Sequence, residues 1–277
     1  MHHFPPVLSN PRHASMLIEL TDPLDSRINA YRNVRLRDPE DGFIAEGSLV
    51  VKRLLQSDLS VQSLLLHKGQ EAKYIGMLPE SVPVYVVDPK IGAAIAGYDF
   101  HRGVLAHGVC PQLLPCEQLQ TDRPRLALGL VGISDPENVG SLLRSAAAMG
   151  VQDILIGPST IFPFVRRVIR VSMASVFHHR FYRFDQPLQQ ITDLQSDAFR
   201  FAATTLAPDA ITIGTLQSHL AGAPTVLLMG NEAQGLAPEI QKACDVRTTL
   251  PMPETTDSLN VSVAGAIFLH ELTKPVS

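Results

Sequence analysis

The second half of the chain alternates short apolar runs with stretches of helical spacing. Residues 126–133 and 226–229 are apolar runs typical of strands that are covered on both faces. Between them, residues 138–149 place apolar side chains at helical spacing, which predicts an amphipathic helix. The other predicted strands are 153–156, 177–181, 199–204 and 246–250, and the other predicted helices are 164–173 (helix or turn), 188–194, 236–243 and a closing helix from about residue 258. This alternation predicts an α/β fold with a parallel sheet and helices on both faces.

The first part of the chain carries a weaker, mixed pattern. Residues 1–20 hold prolines and histidines without a period, and we interpret them as an extended or loosely docked tail. Residues 21–110 predict a small α/β domain, with elements at 29–36, 47–55, 61–66, 82–87 and 103–106. Prolines, glutamines and charges then replace the apolar pattern, so 111–124 is interpreted as a linker and 125–277 as a second domain.

Composition narrows the class of protein. Hydrophobic residues make up 45% and charged residues 18% of the 277 residues, and no apolar run reaches membrane-spanning length. The start of the chain lacks a secretion signal, and the three cysteines form no CxxC pair, so we expect a cytoplasmic protein. The net charge of -4 argues against nonspecific coating of nucleic acid but allows local basic surfaces.

Several well-known chemistries lack their motifs. Neither GxxxxGK[ST] nor GxGxxG follows a predicted strand, which disfavours P-loop nucleotidases and ordinary dinucleotide-binding folds. HExxH and GxSxG are also missing. His178 and His179 are adjacent in a predicted strand and would point to opposite faces, so we expect no metal site.

Three polar clusters follow predicted strands, where parallel sheets bind ligands: 138–144, 230–235 and 251–260. Arg144 is the only charged residue of its predicted helix and lies off the apolar stripe. It can be an ordinary exposed arginine, or it can hold a phosphate. In the second cluster, Glu232 offers a carboxylate to a ligand, but Asn231 and Gln234 also resemble a capping box.

The third cluster has two interpretations as well. Ser258, Asn260 and Ser262 stand at the start of an otherwise apolar, uncharged helix. They can face a polar ligand at the helix terminus. Alternatively, Asp257 or Ser258 simply caps a buried helix.

Basic residues concentrate in two places. Arg166, Arg167, Arg170, Arg180 and Arg183, with the two histidines, form the most basic stretch and predict an RNA-backbone surface. The predicted N-terminal domain also carries cations that can meet phosphate or be ordinary surface charge: Arg32, Arg35, Arg37, Lys52, Arg53, His67 and Lys68.

The three polar clusters, taken in order, resemble the SpoU or TrmH-type RNA ribose 2′-O-methyltransferases of the SPOUT superfamily. The resemblance rests on the segments 138–146, 230–236, and 250–252 with 258–264. It implies a trefoil knot in the C-terminal part, S-adenosylmethionine as cofactor, and a homodimer whose active site draws on both subunits. Segments 43–47 and 101–106 look like the ribosomal-protein-like, RNA-binding domain that many members carry.

The resemblance also implies roles for single residues. The positions that match the family's catalytic centre are Asn138, Arg144, Glu232, Ser258 and Asn260. The positions that match its cofactor loops are Thr204, Gly230, Asn231, Glu232, Gly235, Leu250, Met252, Leu259 and Asn260. One departure is that many members have Ser-x-Gly-Ala where this chain has Ser172-Met173-Ala174-Ser175.

The resulting hypothesis is a methyltransferase that acts on structured RNA, ribosomal RNA being favoured over transfer RNA. Two other classes stay open at this point. A catalytically silent RNA-binding or assembly protein would bind no S-adenosylmethionine, and an α/β enzyme that uses another nucleotide would bind NAD or ATP instead.

Overall fold

The structure, a computed structural model, describes residues 17–32, 42–98, 103–253, 255 and 258–275. The chain divides into two compact units, Met1–Cys110 and Pro111–Ser277. In the described part, no helix is both long and apolar enough to cross a membrane.

In its described residues, the first unit is a five-stranded mixed sheet with two α-helices and short 3₁₀ helices. Its elements are β1 (Leu17–Glu19), β2 (Phe43–Glu46), α1 (Ser48–Leu55), β3 (Val61–His67), β4 (Val84–Val87), α2 (Pro89–Ala96) and β5 (Val104–Gly108). The strand order is β1-β4-β3-β5-β2, parallel among β1, β4 and β3 and antiparallel where β5 pairs with β3 and β2.

Most predicted elements of this unit are confirmed, with shifted ends. The predictions at 47–55, 61–66, 82–87 and 103–106 correspond to α1, β3, β4 and β5. The short element expected at 29–36 is a 3₁₀ helix at Ser26–Tyr31, and residues 33–36 lie outside the described residues. Residues 17–19 of the expected tail form edge strand β1, which pairs with β4, and Leu20 is buried. Strand β2 and helix α2 were not predicted.

The second unit is a seven-stranded sheet in which each described pair of neighbours is parallel. Its elements are α3 (Gln118–Asp122), β6 (Leu126–Leu130), α4 (Pro136–Ala148), β7 (Asp153–Ile156), α5 (Arg166–Val171), β8 (Arg180–Arg183), α6 (Pro187–Ser196), β9 (Arg200–Thr204), β10 (Ile211–Thr212), α7 (Ile213–Leu220), β11 (Thr225–Met229), α8 (Pro238–Ala243), β12 (Val246–Thr249) and α9 (Val261–Thr273). The strand order is β10-β12-β9-β11-β6-β7-β8. The predicted α/β fold with a parallel sheet flanked by helices is therefore confirmed, whereas the trefoil knot stays a prediction.

The segment between α5 and β8 differs from its prediction. Residues 177–181 were expected as one strand, but Ser175–His178 form a 3₁₀ helix and the strand begins at Arg180. Met173 and Ala174 just before it have φ of 53° and 65°, a left-handed turn that redirects the chain. Ala174 stands where many relatives of the resembled family have glycine, which adopts this conformation without steric cost.

Residues 111–124, which we interpreted as a linker, pack into the second unit. Leu114 forms a bridge with Tyr182, and Cys116 and Leu119 are buried in the same core cluster as Tyr182. Residues 210–220, for which no element was predicted, hold β10 and α7.

The closing helix α9 is held at both ends by side chains. The oxygen Oδ1 of Asn260 accepts a hydrogen bond from the Ser262 amide at 2.8 Å, so Asn260 is the N-cap, and the alternative of a cap at Asp257 or Ser258 is wrong. At the other end, Arg125 Nη2 donates to the Lys274 carbonyl at 2.9 Å and Gln217 Nε2 donates to the Glu271 carbonyl at 2.6 Å. These contacts satisfy carbonyls that a helix end leaves unpaired.

Candidate active site

Three loops that follow parallel strands line one cleft of about 530 Å³. They follow β9, β11 and β12, and because these strands are parallel their carboxyl ends meet at one edge of the sheet. Apolar side chains of Met229, Leu236, Leu250 and Phe268 contribute to the lining. Such a cleft has the size and mixed lining of a small-molecule site.

The loop after β11 is a tight turn. Asn231 and Gly235 exchange two backbone hydrogen bonds of 3.2 and 2.9 Å, and Gly235 has a φ of 67°. A Cβ on Gly230 would overlap the backbone of Gly235 and Leu236, so only glycine allows this close approach. The turn therefore explains both glycines of the cluster.

Asn231 holds this turn rather than a helix end. Its Oδ1 accepts hydrogen bonds from the amides of Ala233 and Gln234, at 2.9 and 3.0 Å, and its Nδ2 donates to the Gly132 carbonyl at 2.8 Å. The next helix, α8, begins only at Pro238. The capping-box interpretation of Asn231 and Gln234 is therefore wrong, although the same side chain does close the turn.

A chain of hydrogen bonds joins the three polar clusters beside the cleft. Asn260 Nδ2 donates to Asn138 Oδ1 at 2.9 Å, and Asn138 Nδ2 donates to Glu232 Oε1 at 2.9 Å. Because Asn260 Oδ1 accepts from the Ser262 amide and hydroxyl, the orientation of both asparagine amides is fixed. Asn138 is only 8% exposed, so its pairing satisfies a polar group that would be costly to bury alone.

The cleft gathers nearly all of the residues singled out from the sequence. The predicted cofactor-binding residues that line it are Thr204, Gly230, Asn231, Glu232, Gly235, Leu250, Met252, Leu259 and Asn260. Ser258 lines it too, and Asn138 reaches it through Glu232 and Asn260. Residues Glu254, Thr256 and Asp257 of the third loop lie outside the described residues.

The three loops of the cleft lie in a region that matches a known protein family. The SpoU rRNA Methylase family model matches residues 125–270, more than half of the chain and all three of these loops. The chain belongs to the SpoU rRNA methylase family. The resemblance drawn from the three sequence clusters is thereby confirmed.

Individual SpoU relatives match beyond this region. An uncharacterized tRNA/rRNA methyltransferase of Mycobacterium tuberculosis is 30% identical over 269 residues, 92% of this chain and 91% of the relative. The 23S rRNA (guanosine(2553)-2′-O)-methyltransferase RlmP of Bacillus subtilis is 26% identical over 236 residues, 85% of this chain and 90% of RlmP. The AdoMet-bound rRNA methyltransferase from Sinorhizobium meliloti aligns with a TM-score of 0.79 at 25% identity, over 92% of this chain and 97% of that one.

In this SpoU chain, Arg144 stands apart from the cleft. It is exposed on α4, is not among the described residues that line the cleft, and forms no hydrogen bond or ion pair with the part of the chain that the structure describes. Asn138, six residues earlier on the same helix, faces Asn260 instead. The structure therefore joins Asn138, Glu232 and Asn260 within one subunit but leaves the Arg144 guanidinium free at the surface.

The basic stretch of this SpoU chain is only partly available to RNA. Arg180 donates two hydrogen bonds, of 2.8 and 2.9 Å, to the buried carboxylate of Asp153, and these raise the pKa of Arg180. Arg180 thus stabilises the sheet edge, and its role in binding phosphate stays a prediction. Arg167 pairs with Glu137 and Arg183 with Asp185, whereas exposed Arg170 forms no hydrogen bond or ion pair with the described part of the chain.

Some of the cations of the first unit that can meet phosphate or be ordinary surface charge already have partners within that unit. Arg32 donates to the carbonyls of Pro23 and Asp25, at 2.7 and 3.0 Å, and Lys68 pairs with Glu19 at 2.8 Å. His67 is buried. Arg35 and Arg37 lie outside the described residues.

Sequence reasoning missed several cleft residues in this SpoU chain. Thr205, Leu206 and Ala207 follow β9 at the same sheet edge, and Gln241 and Phe268 approach from α8 and α9. The position directly after a predicted strand was an available signal for the first three. No local pattern distinguishes Gln241 or Phe268 from ordinary helix residues, since only packing brings them to the cleft.

Proposed function

We propose that this chain transfers a methyl group from S-adenosylmethionine to a ribose 2′-hydroxyl of RNA. Ribosomal RNA is the favoured substrate, and transfer RNA is the alternative. The observation that carries the proposal is the hydrogen-bonded row Asn260, Asn138 and Glu232, which ties the family's first motif to a cleft lined by its second and third motifs. The names of relatives, which include 23S rRNA guanosine-2′-O-methyltransferases, support the substrate class.

The cleft suits S-adenosylmethionine in size and chemistry. Its apolar part, with Leu236, Leu250 and Phe268, can cover an adenine ring, and its polar rim offers Glu232 and Asn260 to hydroxyl or ammonium groups. The related structure from Sinorhizobium meliloti holds AdoMet. When bound, this cofactor supplies a methyl group activated by a sulfonium charge.

Arg144 is proposed as the anchor for the RNA phosphate next to the reacting ribose. Its guanidinium is exposed and unpaired in the described part of the chain, and it can hold a phosphate with two parallel hydrogen bonds. A guanidinium stays protonated near neutral pH, so this positioning role is preferred to that of a general base. Fixing the phosphate orients the 2′-hydroxyl for in-line transfer.

Asn138, Asn260, Ser258 and Glu232 are proposed to orient the reacting groups. Because the Asn260 and Asn138 amides point in one fixed direction, Glu232 receives a hydrogen bond on Oε1 and keeps Oε2 for the ribose or the loop. Ser258 lines the same cleft from the third loop. The arrangement places polar groups without reorganisation during the reaction.

A homodimer is proposed to complete the site. Val263 and Ile267 are 49% and 41% exposed, and their spacing of four residues aligns them on one face of α9. Val263 and Ile267 also line a groove of about 470 Å³ between α4 and α9. A second copy that covers this apolar stripe would bury it and bring its own cleft towards Arg144.

The remaining expectations from the sequence are retained as proposals. Residues 21–110 are proposed to bind the RNA substrate, and 125–277 to form the SPOUT methyltransferase domain with its trefoil knot. The segment 111–124 connects the two in the chain while packing into the second unit. We place the activity in the cytoplasm, where RNA substrates and the cofactor are present together.

Two experiments test the proposed function. Titration of the purified protein with S-adenosylmethionine is expected to show saturable binding that NAD and ATP do not reproduce. Mapping of ribose methylation in cellular RNA, with and without the gene, is expected to reveal one missing 2′-O-methyl group in ribosomal RNA. Absence of cofactor binding would support the silent RNA-binding class, and methylation of a base would contradict transfer to ribose.

A further inference from the structure

One acidic side chain occupies the basic surface beside the active site. Glu137, in the first turn of α4, forms an ion pair with Arg167 in the first turn of α5. Glu137 directly precedes Asn138 of the hydrogen-bonded row. Both partners are about half exposed, with side-chain exposures of 59% for Glu137 and 49% for Arg167.

The fold holds this ion pair in place. The Asp135 side chain caps α4 by accepting a hydrogen bond from the Glu137 amide at 2.8 Å, and the positive end of the helix favours the Glu137 carboxylate. Gly140 lets α5 approach closely, because a Cβ there would lie 2.7 Å from Val171 Cβ. The two helices are therefore packed so that Glu137 and Arg167 face each other before any RNA binds.

The same pair lies on the side of α4 that carries Arg144. Seven residues separate Glu137 from Arg144, which corresponds to about two helical turns, so both side chains leave the helix in nearly the same direction. Arg170, one turn after Arg167 on α5, is also exposed. An RNA strand that reaches Arg144 therefore passes the cations of α5, of which Arg167 already holds a carboxylate.

We propose that Glu137 is a specificity-determining residue that occupies Arg167 in place of an RNA phosphate. This inference rests on the proposed function, because it assumes that RNA approaches along Arg144 and α5. RNA that makes the full set of contacts displaces Glu137 and gains a bidentate contact between phosphate and guanidinium. RNA that makes few other contacts meets the Glu137 carboxylate as a competitor and an electrostatic barrier.

The exchange is feasible because the ion pair is exposed. Exposed ion pairs contribute little net stability, so a well-placed phosphate can replace the carboxylate. When Glu137 is displaced, its charge remains close to the incoming phosphate. RNA whose phosphate is aligned with Arg167 offsets this repulsion by the bidentate contact, whereas misaligned RNA meets the repulsion without that gain. Glu137 thus raises the selectivity for RNA that aligns a phosphate with Arg167.

The test measures binding of a labelled oligouridylate to the full chain by fluorescence anisotropy across a range of salt concentrations. Glu137→Gln is expected to tighten binding about fivefold at low salt. It should also steepen the slope of the logarithm of the binding constant against the logarithm of the salt concentration by about 0.7, because one further phosphate of the single-stranded RNA is contacted. In the Arg167→Ala background, Glu137→Gln is expected to leave the salt dependence unchanged and to tighten binding no more than the removal of any other exposed carboxylate does. In an assay of methyl transfer to ribosomal RNA, the Glu137→Gln protein is expected to be inhibited by a several-fold lower concentration of oligouridylate than the wild-type protein.

Glu239→Gln is the matched control. Glu239 is an exposed glutamate that follows the first proline of α8, as Glu137 follows Pro136 of α4, so both variants remove one negative charge from the second position of a helix. The proposal is overturned if Glu239→Gln tightens binding as much as Glu137→Gln, or if the gain from Glu137→Gln is undiminished without Arg167. Because oligouridylate binding requires no catalysis, S-adenosylmethionine titration of the same proteins separately shows whether the proposed function itself fails.

Discussion

At the scale of single residues, the site depends on amides whose orientation is determined by their neighbours. Asn138 donates to Glu232 and accepts from Asn260, so neither function of its side chain is left unpaired. Arg144, on the same helix, is the opposite case, because it is exposed and makes no hydrogen bond within the described residues. A residue without structural contacts can be removed without disturbing the fold.

Arg144→Ala is therefore expected to leave the free energy of unfolding within about 0.5 kcal/mol of wild type while methyl transfer falls by a factor on the order of 10² or more. Urea unfolding and single-turnover methyl transfer measure the two quantities. Arg144→Lys keeps the charge but loses the bidentate geometry, so we expect only partial activity. A large loss of stability with activity retained would contradict the assignment.

His179 gives the protein a pH-dependent stability. Burial lowers the pKa of His179 below its ordinary value, against the raising effect of hydrogen bonds to the Leu143 and Gln152 carbonyls. Below a pH of about 6.5 the unfolded chain therefore binds a proton at this residue that the folded chain does not, so stability falls on acidification. Urea unfolding measures the free energy of unfolding at pH values of about 7.5 and 5.5. The difference between these two free energies is expected to be smaller for His179→Gln than for wild type.

At the scale of elements, α4 is the helix on which the site is built. It packs against α5 through Gly140 and against α9 through Leu142, which contacts Gly265 so closely that no Cβ fits there. Its first turn carries Glu137 and Asn138, and its exposed face carries Arg144. Small residues at these helix contacts set the distances between the three helices.

Gly140→Ala is expected to lower the free energy of unfolding by about 1–2 kcal/mol, although alanine favours helices more than glycine does. The added Cβ would lie 2.7 Å from Val171 Cβ and 3.1 Å from the Val168 carbonyl oxygen. Gly214→Ala in α7 is the matched control, since a Cβ there meets nothing within 4 Å, and it should raise stability by roughly 0.5–1 kcal/mol. Chemical denaturation of both variants separates packing from helix propensity, and equal effects would refute the packing argument.

At the scale of the whole molecule, the proposed homodimer predicts that Arg144 of one subunit acts on the cleft of the other. If the proposed homodimer is correct, Arg144→Ala and Asn260→Ala should each be inactive. When the two variants are mixed in equal amounts, random pairing makes about half of the dimers mixed, and each mixed dimer has one intact site out of two. The mixture should therefore recover about a quarter of the wild-type rate. Ile267→Asp should yield monomers in sedimentation analysis. No recovery from verified mixed dimers would show that the site lies within one subunit.

The two compact units allow cofactor binding and RNA binding to be tested separately. A chain of residues 111–277 keeps the cleft, the hydrogen-bonded row and the packed segment around Leu119. We expect it to bind S-adenosylmethionine as wild type does but to bind ribosomal RNA at least about tenfold more weakly. Calorimetry and filter binding measure the two affinities. Unchanged RNA affinity would remove the first unit from substrate recognition.

The sequence by itself determined the parallel α/β architecture and the three polar clusters that meet beside the cleft. Apolar runs of strand length and helical spacing are local properties, and ligand loops follow strand ends by the geometry of parallel sheets. It did not determine the turn around Asn231, the cap at Asn260 or the pairing of Arg180 with Asp153, because several partners were locally compatible with each side chain.

Only the tertiary structure decided which polar groups face one another. Asn260 and Asn138 are 122 positions apart in the chain, and Glu232 is 94 positions from Asn138, so no local pattern specifies their contact. The same holds for Glu137 and Arg167, which meet because Gly140 lets α5 pack closely on α4. Hydrophobic patterning chooses the fold, whereas these hydrogen bonds and ion pairs depend on distances that exist only after the helices have packed.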